Sequence, residues 1–82
     1  VGEKVVVDSR SRYLYLGRLE KVGRDSIVLT DADVHDNSAS QSTEEVYVIE
    51  AAQHGVNVNR ERVYVLARDI VSISRLDDVL EY

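Results

Sequence analysis

The chain has no cysteine, methionine, phenylalanine or tryptophan, and only four glycines. Without cysteine, neither a disulfide nor a thiolate metal site reinforces the fold, and the commonest soft nucleophile is missing. Neither His35 nor His54 has a Ser-x-Gly or acidic pattern beside it that would build a catalytic triad. Gly23 stands alone, so no glycine-rich loop cradles a phosphate. The residues therefore point away from an enzyme and call for no cofactor. No apolar run is long enough to span a membrane and no signal-peptide pattern opens the chain, so a cytoplasmic location is the expectation.

What remains is dominated by Val, Leu and Ile with five Tyr, a β-branched and tyrosine bias that favours strands. Eighty-two residues make one domain, and a domain this small buries only about 60% of its unfolded surface. Self-association is the natural source of further buried area. The formal charge of −5 argues against a general affinity for nucleic acid, but the charge is unevenly distributed. Residues 1–24 hold Lys4, Arg10, Arg12, Arg18, Lys21 and Arg24 against three acids, whereas residues 25–60 hold Arg60 against seven. One face is thus expected to be basic and another acidic; the bland alternative is a solvated surface segregated by chance.

The apolar pattern predicts strands over Lys4–Asp8, Arg12–Val22, Ser26–Val34, Arg62–Leu66 and Ile70–Arg75. Val5-Val6-Val7 and Tyr13-Leu14-Tyr15-Leu16 are continuous enough to be covered on both faces. Gly17 interrupts the second strand, which signals a sharp bend or a close backbone approach. Gly23-Arg24-Asp25 and Ala67-Arg68-Asp69 read as tight turns, and His35–Ser42 reads as a polar loop. Two readings stand for residues 43–54. A helix is supported by a capping box from Ser42 to Glu45 and by Gly55 as terminator, with His54 beside the helix C-terminus. The run Val46-Tyr47-Val48-Ile49 would equally suit a strand. Val56–Asn59 alternates like a short strand, and Leu76–Tyr82 reads as a helical turn or a frayed tail.

Gly17-Arg18-Leu19, the turn Gly23–Asp25, the strand Ser26-Ile27-Val28-Leu29, and Val63–Ala67 leading into Ile70–Ile73 together resemble the Sm-like family of RNA-associated ring proteins. The resemblance covers roughly residues 3–34 and 61–75. It implies an all-β fold: a five-stranded, strongly bent SH3-like barrel of the Sm type forming a single domain over 1–82. An enlarged loop at 35–60, with room for a short helix, separates strands 3 and 4. It also implies a homo-oligomeric ring of about five to seven subunits, with Val63, Val65, Ile70 and Ile73 as the interface residues.

Relatives that bind uridine-rich RNA resemble one another in an Asp in the first turn, an Asn before the third strand and an Arg-Gly pair after the fourth. Here Gly23 or Asp25 stands at the first position, Ser26 at the second and Leu66-Ala67 at the third. Leucine has no donor, and serine lacks an amide's two-sided pairing with a base edge. The usual uridine pocket is therefore not expected. A replacement site would use Arg24, Asp25, Ser26 and Arg68, where an arginine plane can stack on a base. The plainer alternative is surface salt bridges, Arg24 with Asp69 or Arg68 with Asp25.

The functional expectation is accordingly a ring that binds RNA through a non-standard site. The alternative is a scaffolding ring that engages a protein partner through its acidic insertion. Asp31, Asp33 and His35 alternate along a strand end with Asp36 adjacent, a spacing that could hold a divalent cation. A water-facing acidic edge is the preferred reading, and no metal is expected. Tyr13, Tyr15, Tyr47 and Tyr64 are read as the aromatic core of a chain that lacks Phe and Trp, with base stacking as the other option.

Overall fold

Period-two alternation places the strands, and the five expected ones are all present in the computed structural model, which describes residues 1–36 and 44–80. They are β1 (Lys4–Ser9), β2 (Tyr13–Val22), β3 (Ser26–Asp36), β4 (Arg60–Leu66) and β5 (Ile70–Arg75). One helix, α1 (Glu44–His54), lies between β3 and β4. Short 3-10 turns follow β4 at Ala67–Asp69 and β5 at Leu76–Asp78. Every pairing is antiparallel and the spatial order is β4-β3-β2-β1-β5. β4 and β5 are therefore neighbours in sequence yet form the two opposite edges of one bent sheet.

The bend sits where β2 crosses β3. Between Leu16↔Asp33 and Arg18↔Thr30, one residue of β2 faces two of β3. The extra residue is accommodated at Asp31, whose φ of 47° lies in the left-handed region that Asp tolerates better than most residues. Gly17 stands opposite. A Cβ there would lie 3.1 Å from the Ala32 Cα, the Ala32 Cβ and the Thr30 carbonyl oxygen. The expected close approach is thus present, and any side chain at this position would push Ala32 or Thr30 aside by a few tenths of an ångström. A second irregularity, around Glu20, tightens the same end of β2.

Bending gives the sheet an inner and an outer face, each with its own apolar cluster. Val5, Val7, Ile27, Leu29, Ala32 and Val65 fill the inside, with Tyr15, Leu19, Val63 and Ile70 packed around them. Val6, Leu14 and Leu16 point outward and are covered by Ala51 of α1 and by Leu76. This explains the unbroken Val5-Val6-Val7 run: successive residues serve opposite faces. Tyr47, Val48 and Ala52 complete the apolar side of the helix against the sheet.

The helix reading of residues 43–54 therefore holds, because those side chains close the outer cluster. Gly55 ends the helix at φ 92°, and its N–H donates to the Ala51 carbonyl at 2.9 Å. Ser42, the expected cap, lies outside the described residues. Several boundaries differ from expectation, three of them by more than one residue. β3 continues through His35 and Asp36, because the long β2 still supplies Leu14 and Tyr13 as partners, and the rest of the expected polar loop lies outside the described residues. Val56–Asn59 is not a strand. There Asn59 acts as a clamp: its N–H donates to the Ala32 carbonyl at 2.9 Å, while its side-chain oxygen accepts from the Val34 N–H at 3.0 Å. β4 then starts two residues early, at Arg60.

Gly17→Ala is expected to destabilise the fold by about 1–3 kcal/mol, since the contacted atoms belong to paired backbone with little freedom to move. Urea denaturation of the variant checks this; an unchanged midpoint would show that the two strands separate more easily than their spacing implies.

Candidate functional site

Two turns carry the residues singled out for recognition, and main-chain hydrogen bonds hold them together. Ser26 opens β3 opposite Leu66, the last residue of β4. Just beyond this pair the Ala67 N–H donates to the Asp25 carbonyl at 2.8 Å, joining the β2–β3 turn to the 3-10 turn. The first turn is closed by the Gly23 N–H on the Ser26 carbonyl at 2.8 Å. The second is anchored from its other side by the Arg10 N–H on the Asp69 carbonyl at 2.7 Å. These bonds involve backbone only, so they leave the side chains of Arg24, Asp25 and Arg68 at the surface.

Asp25, Leu66, Ala67 and Arg68 line a hollow of about 220 Å³. Arg24 is exposed on the turn, outside that lining, and Ser26 is half-buried and opens onto a different groove. The structure thus brings Asp25 and Arg68 to one hollow and leaves Arg24 and Ser26 at its border. The anticipated ion pairs do not form: among the described residues the salt bridges are Arg12–Asp36, Arg62–Glu20 and Arg75–Glu3. Among the described residues Arg24 and Arg68 have no ion-pair partner, which suits an anionic or planar ligand.

The interface residues proposed from sequence are mostly committed elsewhere. Val65 is 3% exposed in the inner cluster, and Val63 and Ile70 pack against it. Ile73 alone of the four is open, at 44%. The apolar side chains that these two strands turn outward are Tyr64, Leu66 and Val71. The reason is the period-two rule: Val63 and Val65 take the inner positions, which sends Tyr64 and Leu66 outward.

Tyr64 is 66% exposed and so departs from the aromatic-core reading. Tyr15 follows that reading, lying against the inner cluster, while Tyr47 belongs to the outer one. Its ring stacks on His35 with centroids 3.7 Å apart and planes 12° from parallel. Sequence reasoning had the signal for Tyr64 in the Val63-Tyr64-Val65 alternation.

The run Asp31, Asp33, His35 does not form a water-facing acidic edge, since β3 is an interior strand of the sheet. Asp31 is the bulge residue, His35 is stacked on Tyr47, and Asp33 is 4% exposed. The Asp33 carboxylate accepts from the Asn59 side-chain amide at 2.7 Å, tying β3 to the approach to β4. Burial pushes the Asp33 carboxyl above its ordinary value, outweighing the opposing effects of His35 and of the Asn59 hydrogen bond. No three His, Cys, Asp or Glu side chains converge as a cation site among the described residues, nor is any described helix long and apolar enough to cross a membrane.

No family model matches the sequence, and no curated protein matches it. The fold, however, is similar to that of a solved Sm protein from Pyrococcus abyssii, determined in complex with a uridine heptamer. The likeness spans 92% of this chain and 84% of that one, with a TM-score of 0.56 and 19% identity. The chain thus has an Sm-like fold, with α1 as a short helix between its third and fourth strands.

Because the folded-state value of Asp33 is the higher one, the folded protein holds this proton more tightly than the unfolded chain does. Acidification through the folded value therefore adds stability, and the gain is complete below about pH 4, the ordinary carboxylate value. Asp33→Asn keeps an acceptor for Asn59 and removes the ionisation. The variant should be at least as stable as the parent at neutral pH and lack this gain on acidification. Thermal unfolding of both proteins from about pH 7 to about pH 4 tests it; parallel curves would contradict it.

Proposed function

We propose that this chain is a ring-forming Sm-like protein that associates with RNA through a non-standard site on its paired turns. The observation that carries the reading is the hydrogen bond from the Ala67 N–H to the Asp25 carbonyl, which sets Arg68 beside the β2–β3 turn that bears Arg24. In this reading Arg68 and Arg24 stack on bases or meet phosphates, and Asp25 and Ser26 supply polar contacts to base edges. Leu66 and Ala67 occupy the positions from which relatives that bind uridine-rich RNA donate to a base, so recognition here depends on the arginines. The likeness to an Sm protein solved with a uridine heptamer supports RNA as the class of ligand.

Ring formation is supported by the two open edges. Among the described residues, β4 and β5 each present a row of main-chain groups with no partner strand on the outer side. Pairing β4 of one copy with β5 of the next would satisfy both rows, and repeating it gives a ring, of about five to seven subunits if it follows the Sm-like resemblance. Ile73, Val71 and Leu66 add apolar contact along those rims. Capture of a protein partner by the insertion draws less support, because Tyr47, Val48, Ala51 and Ala52 of α1 already pack on the sheet.

Light scattering is expected to give a mass several times the 9.3 kDa of one chain; a monomer would overturn the ring. Binding of labelled uridine-rich and adenosine-rich RNA should be measurable at low salt and should weaken steeply as salt rises. Arg24→Ala and Arg68→Ala should each weaken it by roughly tenfold, about 1.5 kcal/mol for a lost charge-assisted contact. Absence of binding at low salt would remove RNA from the reading.

A further inference from the structure

A second concavity lies apart from the hollow between the turns. It is a trough of about 520 Å³ on the outer face of β2, β3 and β4, lined among others by Lys21, Ser26, Val28, Arg62 and Tyr64. We propose that this face is a second contact for single-stranded RNA, with Tyr64 as the stacking platform for an unpaired base and Lys21, Arg62 and Arg18 as its phosphate contacts. The inference rests on the RNA-association reading and adds a site to it.

Strand register builds the face. Residues directly opposite in neighbouring strands share one side of a sheet. Lys21 pairs with Val28 and Val28 with Tyr64, giving one row across three strands. The adjacent row runs Lys4, Arg18, Thr30, Arg62 across four strands. Four cations, Lys4, Arg18, Lys21 and Arg62, thereby gather on a chain whose net charge is −5. Three of them come from the basic segment 1–24, which the register folds into a patch.

The acids on this face are Glu20 and Asp31. Glu20 meets Arg62 at 3.6 Å, with both side chains about half exposed (47% and 51%). An exposed pair of this kind contributes about 0–1 kcal/mol, little enough for a phosphate to take its place. Asp31 shares a neighbouring hollow with Lys4 and Arg18. The balance on the face remains positive.

Tyr64 supplies the second element. At 66% exposure its ring is open to solvent, and half-buried Val28 lies beside it as an apolar floor. A flat aromatic surface bordered by cations fits an unpaired base and its phosphate, because stacking uses the π-face and the cations hold the backbone. α1 packs on the Val6, Leu14, Leu16 half of the outer face, so among the described residues nothing covers this half. Edge-to-edge pairing of β4 with another copy would also leave it clear, since side chains project perpendicular to the direction of pairing. Ser26 lines the trough and pairs with Leu66, which lines the hollow at the turns, so one strand of RNA could pass from one site to the other.

The test uses the full chain and fluorescently labelled single-stranded hexauridylate and hexaadenylate at low salt. Tyr64→Ala and the double variant Lys21→Ala/Arg62→Ala are expected to weaken binding by about tenfold, and Tyr64→Phe to leave it nearly unchanged. Photocrosslinking of a 4-thiouridine probe to the unmodified protein should label the peptide that contains Tyr64. If Arg24→Ala and Arg68→Ala weaken binding while Tyr64→Ala does not, the outer-face site is overturned and the turn site stands. If the parent protein binds neither probe, both fall. Should Tyr64→Ala change the melting temperature or the mass in solution, the crosslink decides: label at Tyr64 sustains the inference and its absence overturns it.

Discussion

Two backbones pass within contact distance at Gly17, and the architecture depends on that closeness. β2 lies against Ala32 and Thr30 there more closely than a side chain would comfortably allow, and the extra residue at Asp31 lets β3 follow the curve. The bend is what turns five short strands into an object with an inside. It also moves β4 and β5 apart to the two rims while leaving them joined by the turn Ala67–Asp69. A flat sheet of the same composition would expose one whole apolar face and would not bring the β2–β3 turn against the one that follows β4.

The outer face shows how so small a chain manages two jobs. Half of it is apolar and is roofed by α1 and Leu76, which gives the domain a second core at the cost of an insertion. The other half is left polar, and the register collects on it the cations of a segment that looked merely basic when read in one dimension. Charge segregation along the chain thus becomes segregation across a surface, although the chain as a whole is acidic.

Much of the fold was legible because strand length and alternation are local properties. The Val and Leu runs, the two tight turns and the helix stop at Gly55 all depend on neighbours in sequence. The features that escaped are those set by partners far along the chain. Asp33 looked like a solvated acid until Asn59, 26 positions away, was seen to hold it in place. His35 looked like loop until β2 proved long enough to pair with it. Val63 and Val65 lie on an edge strand and so read as contact residues, yet alternation commits their side chains to the interior. Tyr64 is exposed because its place between Val63 and Val65 turns it outward, although a chain without Phe and Trp is expected to bury its tyrosines. For the site, the convergence of the turns was readable from strand order, whereas the trough required the pairing register.

The link between β4 and β5 has a geometric consequence. Three residues, Ala67–Asp69, connect the two rims of the sheet and are fixed at one end by Asp25 and at the other by Arg10. In a closed assembly built on those rims, the angle from each copy to the next depends on how this short hinge orients one edge against the other. In the ring proposed above, this short connection would act together with the curvature of the sheet in fixing how each rim meets the next copy.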